Sequence, residues 1–488
     1  MIDTVIPEAV PKPAHLIGMR HIIAIMMFLA TVVSYATRAN MSVAIVAMTT
    51  NSSTDDFPVF DWSRSTQDTI LSSFFWGYIV LQVPAGWIAG RFGGKYLMFI
   101  SMGATGVINL LLPLAAINSG VMAVCACRIT MGLTQGLLYP SLHGMLGQWA
   151  PITERSRLGT FVYAGAQLGT IIELLTSGLL AASSWGWPSI FYVVGVACII
   201  WSILWLFVGD SSPGTSRWIA KEERMYIEAN AGSKDLEHEQ SPTPWVAILT
   251  SLPFWAVLLA HCGQNLGFWI LLTEMPSYMK YILGVDIKEN GKLSSLPYVA
   301  MYVLSFFFSW IADYLVNRQI VRLVISRRIF NTIAHWGPAI ALMGLSYLPP
   351  GNLSLAVIVL SITVGLNGAH YSGFMMSHID LSPNHASTMM GFTNGIAAIF
   401  SILGPYTVSI FVVDETQVLQ WRYVFFTAAA FYFVTNLFYV LFITDETQPW
   451  NEPQRSEAIE DGVKKEKKET SSKRKNSVTI RSLGDHKF

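Results

Sequence analysis

Charge is what this sequence has least of. Of its 488 residues only 13% are Asp, Glu, Lys or Arg, about half the roughly 25% usual in a soluble globular domain. A soluble chain of this length would form roughly two to four domains, and so few charges cannot cover their surfaces. A soluble multidomain protein is therefore excluded. The 31 basic and 31 acidic side chains cancel, and without a basic excess a nucleic-acid partner is not expected. Cysteine is scarce as well. Cys125, Cys127, Cys198 and Cys262 lie in apolar stretches without a CxxC pair or nearby histidines at zinc spacing, so they read as packing residues and no metal site is expected. HExxH, GxSxG and Walker patterns are lacking too, which argues against a membrane enzyme.

Long apolar runs take the place of these features. A helix needs about 20 apolar residues to cross a bilayer core of about 30 Å. Twelve segments meet that length: 21–47, 68–89, 96–117, 120–147, 158–182, 187–208, 247–273, 294–315, 329–348, 354–377, 386–412 and 421–443. The expected fold is an all-α membrane protein of twelve transmembrane helices in two six-helix halves. A cytoplasmic N-terminus (1–20) leads into the first half (21–208). A polar linker (209–245) joins it to the second (246–443), and a charged segment (444–488) is expected to be a disordered cytoplasmic tail.

Lys and Arg set the orientation, because they accumulate on the cytoplasmic side. With both termini inside, 24 of the 31 fall inside, five outside and two within spans. This orientation exposes the sequons at Asn51 and Asn352 on the outer or lumenal face, as candidates for glycosylation. The plasma membrane and a vesicle or lysosome membrane fit equally well.

The halves echo each other. Trp87-Ile88-Ala89-Gly90-Arg91 after the second span is matched by Trp310-Ile311-Ala312-Asp313-Tyr314 after the eighth, and Pro151 and Gly159 recur as Pro383 and Gly391. Repeats at matching positions indicate an internally duplicated architecture.

Two basic residues sit deep inside spans, where each costs about 2.5–3.5 kcal/mol on the lenient scale and marks a pathway or a pair. Arg38 lies in the first span and Arg128 in the fourth. A guanidinium keeps its charge and offers a planar fork of donors to carboxylate or phosphate, so two of them facing one cavity form an anion trap. The competing reading pairs each with an acid such as Glu173 or Glu274. These two carboxylates are also the candidates for carrying a coupling proton or binding a cation. Arg128, Gly132, Gln135 and Tyr139 follow helical spacing and form one polar stripe. His143, His261, His335 and His370 also lie within spans, where a lone histidine reads as packing.

Gly86-Trp87-Ile88-Ala89-Gly90-Arg91-Phe92-Gly93-Gly94-Lys95 resembles the loop motif of the major facilitator superfamily, G-x-x-x-D-R-x-G-G-[RK], with Gly90 where the acid stands; the second copy keeps Asp313. Other stretches are similar to the anion:cation symporter family, which includes sialin, the vesicular glutamate transporters and type I sodium/phosphate cotransporters. They include Tyr35-Ala36-Thr37-Arg38-Ala39-Asn40-Met41-Ser42, Gly136-Leu137-Leu138-Tyr139-Pro140, Pro151-Ile152-Thr153-Glu154-Arg155-Ser156-Arg157 and Ser377-His378-Ile379-Asp380-Leu381-Ser382-Pro383.

The resemblance implies the major facilitator fold, with six-helix halves and a midplane site. It implies anion recognition by Arg38 and Arg128, and we group Tyr35, Asn40, Gln135 and Tyr139 with them. Arg91, Asp313, Glu154 and Arg155 are expected in the gating region. Departures matter equally. Gln135 and Met131 stand where sialin has glutamates, and Gln264 stands where the glutamate transporters have a third arginine. The expected partners are a small anionic substrate, a coupling cation and membrane lipid, with no cofactor beyond co-transported Na+ or H+. Sodium-coupled cotransport of phosphate or an organic anion leads. A proton-coupled acidic-sugar or amino-acid carrier is the alternative, and a non-transporting sensor on the same fold is the reading from another class.

Expression in a eukaryotic host should give a glycosylated band that shifts on enzymatic deglycosylation. Replacing Asn51 and Asn352 together by Gln should abolish that shift.

Overall fold

The computed structural model describes residues 17–49, 57–181, 183–231, 243–284, 287–349, 352–414 and 416–451. Nine helices among them are long and apolar enough to cross a membrane, and a bent pair, Thr69–Val80 with Gln82–Phe92, adds a tenth. The 55-residue stretch Lys95–Trp149 holds two crossings. At Gly120 the backbone takes φ 68° and ψ −157°, a conformation open to glycine and costly for other residues, and the chain reverses there. The helix Leu323–Leu345, interrupted by Arg327, Arg328 and His335, completes twelve.

In chain order the crossings are Met19–Thr49, Arg64–Val80 with Gln82–Phe92, the two arms either side of Gly120, Arg155–Ala181 and Pro188–Val208 in the first half. Leu252–Tyr281, Ile287–Asn317, Leu323–Leu345, Leu353–Asn367 with Phe374–Leu381, Ala386–Phe411 and Val418–Phe442 form the second. Their outer faces expose large apolar side chains such as Leu175, Leu179, Phe207, Val303 and Phe307. In water such a surface would aggregate, whereas lipid solvates it and each helix satisfies its own backbone. Inside, two buried indoles find carbonyl acceptors: Trp201 Nε1 donates to Met26 O at 2.8 Å and Trp205 Nε1 to Lys95 O at 3.0 Å.

Breaks occur where the sequence removes a hydrogen bond or a side chain. Pro140 lacks the N–H that would reach back one turn, and the fourth crossing breaks just before it, between Gln135 and Leu138. The tenth crossing breaks between Gly368 and Gly373.

The linker is more than a polar loop. Its helix Lys221–Ala231 buries Tyr226 and Ile227. Its Glu223 accepts from Arg20 Nη1 at 2.8 Å and from the Met19 N–H at 2.7 Å. In the charged segment after the twelfth crossing, the Asn451 side-chain oxygen accepts from Ser382 Oγ at 2.7 Å; most of the expected tail, 452–488, lies outside the described residues.

On the side of the bundle that carries the linker, the two halves are closed against each other. A side chain on Gly391 of the eleventh crossing would collide with the carbonyl of Gln82, and one on Gly86 with that of Ser387. Replacing Gly391 with Leu should therefore block closure of this seam. Overpacking of this kind costs about 1–3 kcal/mol, so a cysteine placed in the seam should react roughly tenfold or more faster with a soluble maleimide in that variant.

Candidate functional site

The backbones of the second and fourth crossings touch. A Cβ on Gly132 would collide with the carbonyl of Phe74, and one on Gly77 with that of Ile129. This approach brings the rings of Phe74 and Tyr78 to the two buried arginines. The Arg38 guanidinium carbon lies 4.6 Å from the ring centroids of both Tyr35 and Tyr78, 5.4 Å from Phe74 and 5.8 Å from Tyr139. Arg128 lies 5.1 Å from the Phe74 centroid, so one ring borders both cations. Cation–π attraction strengthens when both groups are desolvated, to about 2 kcal/mol or more.

Gln135 ties this group to the first crossing. Its Oε1 accepts from Arg38 Nε at 2.7 Å and from Ser34 Oγ at 3.0 Å, and its Nε2 donates to Thr37 Oγ1. Tyr139 and Tyr35 join hydroxyl to hydroxyl at 3.1 Å. Neither arginine makes an ion pair among the described residues. Arg38 Nη2, Arg128 Nε and Arg128 Nη1 are buried without a hydrogen-bond partner there. Buried polar groups are nearly always paired, so three such N–H-bearing nitrogens in one place indicate a site whose occupant carries acceptors.

The structure brings Arg38, Arg128, Tyr35, Gln135 and Tyr139 together, but not Asn40, whose Nδ2 donates to Asn109 Oδ1 of the third crossing at 2.9 Å. Glu173, 2% exposed, accepts from Ser177 Oγ of its own helix at 2.6 Å. Glu274 lines a small second-half cavity with Met275, Tyr278, Leu360 and Trp421. Neither acid pairs with either arginine. Gln264, at the third-arginine position, exchanges side-chain hydrogen bonds with Asn367.

The gating residues divide. Arg155 Nη1 donates to Asp380 Oδ1 at 2.7 Å, and Arg327 Nε reaches Asp380 Oδ2 at 2.7 Å. Arg157 Nε meets Asp313 Oδ2 at 3.1 Å. All three arginine–carboxylate contacts lie on the linker side, and the first and third cross the seam. Glu154 instead binds Arg20 at 2.9 Å within the first half. Arg91 is exposed, beside the rings of Trp87 and Phe92. Gly90 faces Thr388, which a Cβ would approach to 3.3 Å, so the space of the motif's usual acid is taken by the eleventh crossing. Asn352 is exposed at the start of the tenth crossing, and Asn51 lies outside the described residues.

Arg327 and Asp380 fall outside the expected spans 329–348 and 354–377, an expectation that confines buried positive charge to the first half. The ninth helix begins at Leu323 and the tenth runs on to Leu381, which buries both side chains. The pattern survives in a narrower form, since Arg327 is neutralised by Asp380 while Arg38 and Arg128 are not. Sequence reading also missed the mid-depth contacts between halves. Asn394 Nδ2 donates to Tyr78 OH and Gln82 Oε1, both at 3.0 Å. Gln167 Nε2 donates to Tyr371 OH at 2.6 Å, and the Tyr371 ring lies parallel to Tyr163 at 6.1 Å. These aromatics and amides sit in apolar runs, where nothing local separates them from core.

The model of the Major Facilitator Superfamily matches residues 27–405. A putative inorganic phosphate cotransporter of Drosophila melanogaster is 39% identical over 471 residues, covering 91% of this chain and 89% of its own. Sialin of Homo sapiens is 36% identical (88% and 90% covered), and vesicular glutamate transporter 2 of Homo sapiens is 34% identical (90% and 76% covered). Among solved structures, the proton:xylose symporter XylE superposes with a TM-score of 0.67 over 88% of this chain and 97% of its own, at 16% identity. FucP in its outward conformation gives 0.59 over 86% and 99%, at 12% identity. The structural likenesses carry the fold alone. With the sequence relatives they place the chain, a multi-pass transporter and not an enzyme, in the Major Facilitator Superfamily, within its anion:cation symporter group.

Proposed function

We propose that this protein moves small anions, with inorganic phosphate the leading substrate and an organic anion next, by alternating access driven by sodium. The observation that carries the reading is the pair of guanidiniums with buried nitrogens that have no hydrogen-bond partner, and no ion-paired carboxylate, among the described residues. An anion bound there gains charge-assisted hydrogen bonds that water no longer supplies. The phosphate cotransporter relative supports the substrate class. Gln264, held by Asn367, leaves the third-arginine position uncharged, which does not favour a dicarboxylate.

Sodium leads as the driving ion because Gln135, hydrogen-bonded to Arg38, takes up no proton. The excess of Lys and Arg on the linker side puts both termini in the cytoplasm. A second reading, a proton-driven carrier of acidic sugars or amino acids, is favoured by one observation: Glu173 is enclosed, and among the described residues a serine hydroxyl is the one hydrogen-bond partner of its carboxylate.

Reconstituted into liposomes, the protein should accumulate radiolabelled phosphate under an imposed sodium gradient. Accumulation also separates a carrier from a sensor that only binds. Uptake that follows a proton gradient and ignores sodium would favour the second reading. Arg38→Ala or Arg128→Ala should reduce phosphate uptake by tenfold or more, since a buried charge contact is worth about 2–5 kcal/mol. Full activity in a folded Arg38→Ala protein sinks the anion site. Gln135→Glu should also weaken phosphate uptake, by giving Arg38 an internal counter-charge, with the loss easing as pH falls and the new carboxylate protonates.

A further inference from the structure

Five histidines that the sequence scatters over 235 positions converge where the two halves close. His143 of the fourth crossing and His378 of the tenth face each other across the seam, ring centroids 5.0 Å apart and nearly perpendicular. His261 of the seventh lies 6.1 Å from His378. Thr393 Oγ1 of the eleventh links the two, at 2.8 Å from His378 Nε2 and 3.2 Å from His261 Nδ1. His335 and His370 pack around the same Phe374 ring as His261.

The partners of these rings differ. His335 places both nitrogens on carbonyls, Asn331 O and Ala260 O, and His370 Nδ1 lies 2.8 Å from Asn367 O. Their positions read as structural. His143 Nδ1 meets Tyr163 OH at 2.6 Å, while its Nε2 is buried without a hydrogen-bond partner among the described residues. His143 and His378 are fully enclosed. They also sit in the part of the seam that must part. One residue beyond His143, a side chain on Gly144 would collide with Ser387 Oγ. Two residues beyond His378, Asp380 holds Arg155 across the halves.

We infer that His143 and His378 form a proton-binding site divided between the two halves, vacant while the linker-side seam is closed and occupied when it opens. The inference rests on the alternating-access reading but not on the identity of the anion. With the seam closed, an imidazolium here would be a charge without water or counter-ion, which is costly. Among the described residues, the titratable and charged groups around the pair include His261, His335, His370, Tyr139, Tyr163, Tyr371, Arg155, Arg157, Arg327, Asp313 and Asp380. The three arginines against two carboxylates leave no spare anion to neutralise an imidazolium. Opening separates the rings and admits water, and His143 Nε2 or His378 then takes a proton from solvent. The bound proton must leave before the seam can shut. Acid on the linker side therefore favours the open state, and histidine is the side chain suited to such a switch near neutral pH.

The test uses the full-length carrier in lipid nanodiscs, with spin labels at Tyr96→Cys and Ile320→Cys, exposed on opposite halves at the linker side, in a background lacking the native cysteines. Lowering the pH from about 8 to about 5.5 should raise the long-distance population, by at most about tenfold per pH unit for one proton. His143→Gln with His378→Asn should flatten this response, while His335→Asn should keep it. An unchanged pH response in the double variant, or none in the parent, overturns the inference. If the double variant does not fold, Gly391→Leu, which props the seam open, supplies an independent measurement. Near pH 6.5 it should hold about one more proton per molecule than the parent, read by an indicator dye in unbuffered solution, and equal proton content overturns the inference. Neither readout involves phosphate, so failed phosphate uptake with the pH response intact would sink only the anion reading.

Discussion

A guanidinium inside an apolar bundle cannot shed its charge, and the first half is built around that constraint twice over. Arg38 is surrounded by the faces of Tyr35, Tyr78 and Phe74 and by one amide oxygen of Gln135. These partners attract a cation without cancelling it. A carboxylate in the same place would have settled the charge and closed the site. Ring faces and an amide leave the electrostatic demand unmet, which is the demand that the proposed anion would meet. The glycine contacts between the second and fourth crossings serve the same end, since side chains there would push Phe74 and Tyr78 away from the arginines.

The linker side solves the opposite problem. There the charges are paired, two arginines on Asp380 and a third on Asp313. Buried ion pairs add little net stability, but breaking one without hydration is expensive. They hold the closed state firmly while remaining separable in water, which a continuous apolar interface would not allow. Asn394, bonded to both Tyr78 and Gln82, links this seam to the rings around Arg38. A change in the seam and a change around Arg38 therefore act on the same side chains.

The bundle was legible in the sequence because lipid-spanning helices announce themselves by length and apolarity, and each of the twelve segments corresponds to a crossing. Arg38, Arg128, Gln135 and Tyr139 were legible as polar residues in apolar surroundings. Tyr78 and Phe74 were not, since an aromatic in a membrane helix looks the same whether it faces lipid, core or a cation. Asp380 and Arg327 were misplaced because their depth depends on helix ends, the least determined feature of an apolar pattern. The grouping of His143, His261 and His378 is a property of tertiary packing. Each is unremarkable along its own helix, and His378 lay beyond the expected end of its span.

The reversal at Gly120 has a mechanical consequence. Because the third and fourth crossings turn about one residue in a conformation closed to most side chains, there is little slack on the far side of the bundle, and the two arms behave as a stiff hairpin. The arm that carries Arg128 and Gln135 near its middle carries His143 and Trp149 at its other end. Tilting that hairpin moves Arg128 and Gln135 together as one rod, and the displacement passes to His143 and Trp149 through the break between Gln135 and Leu138.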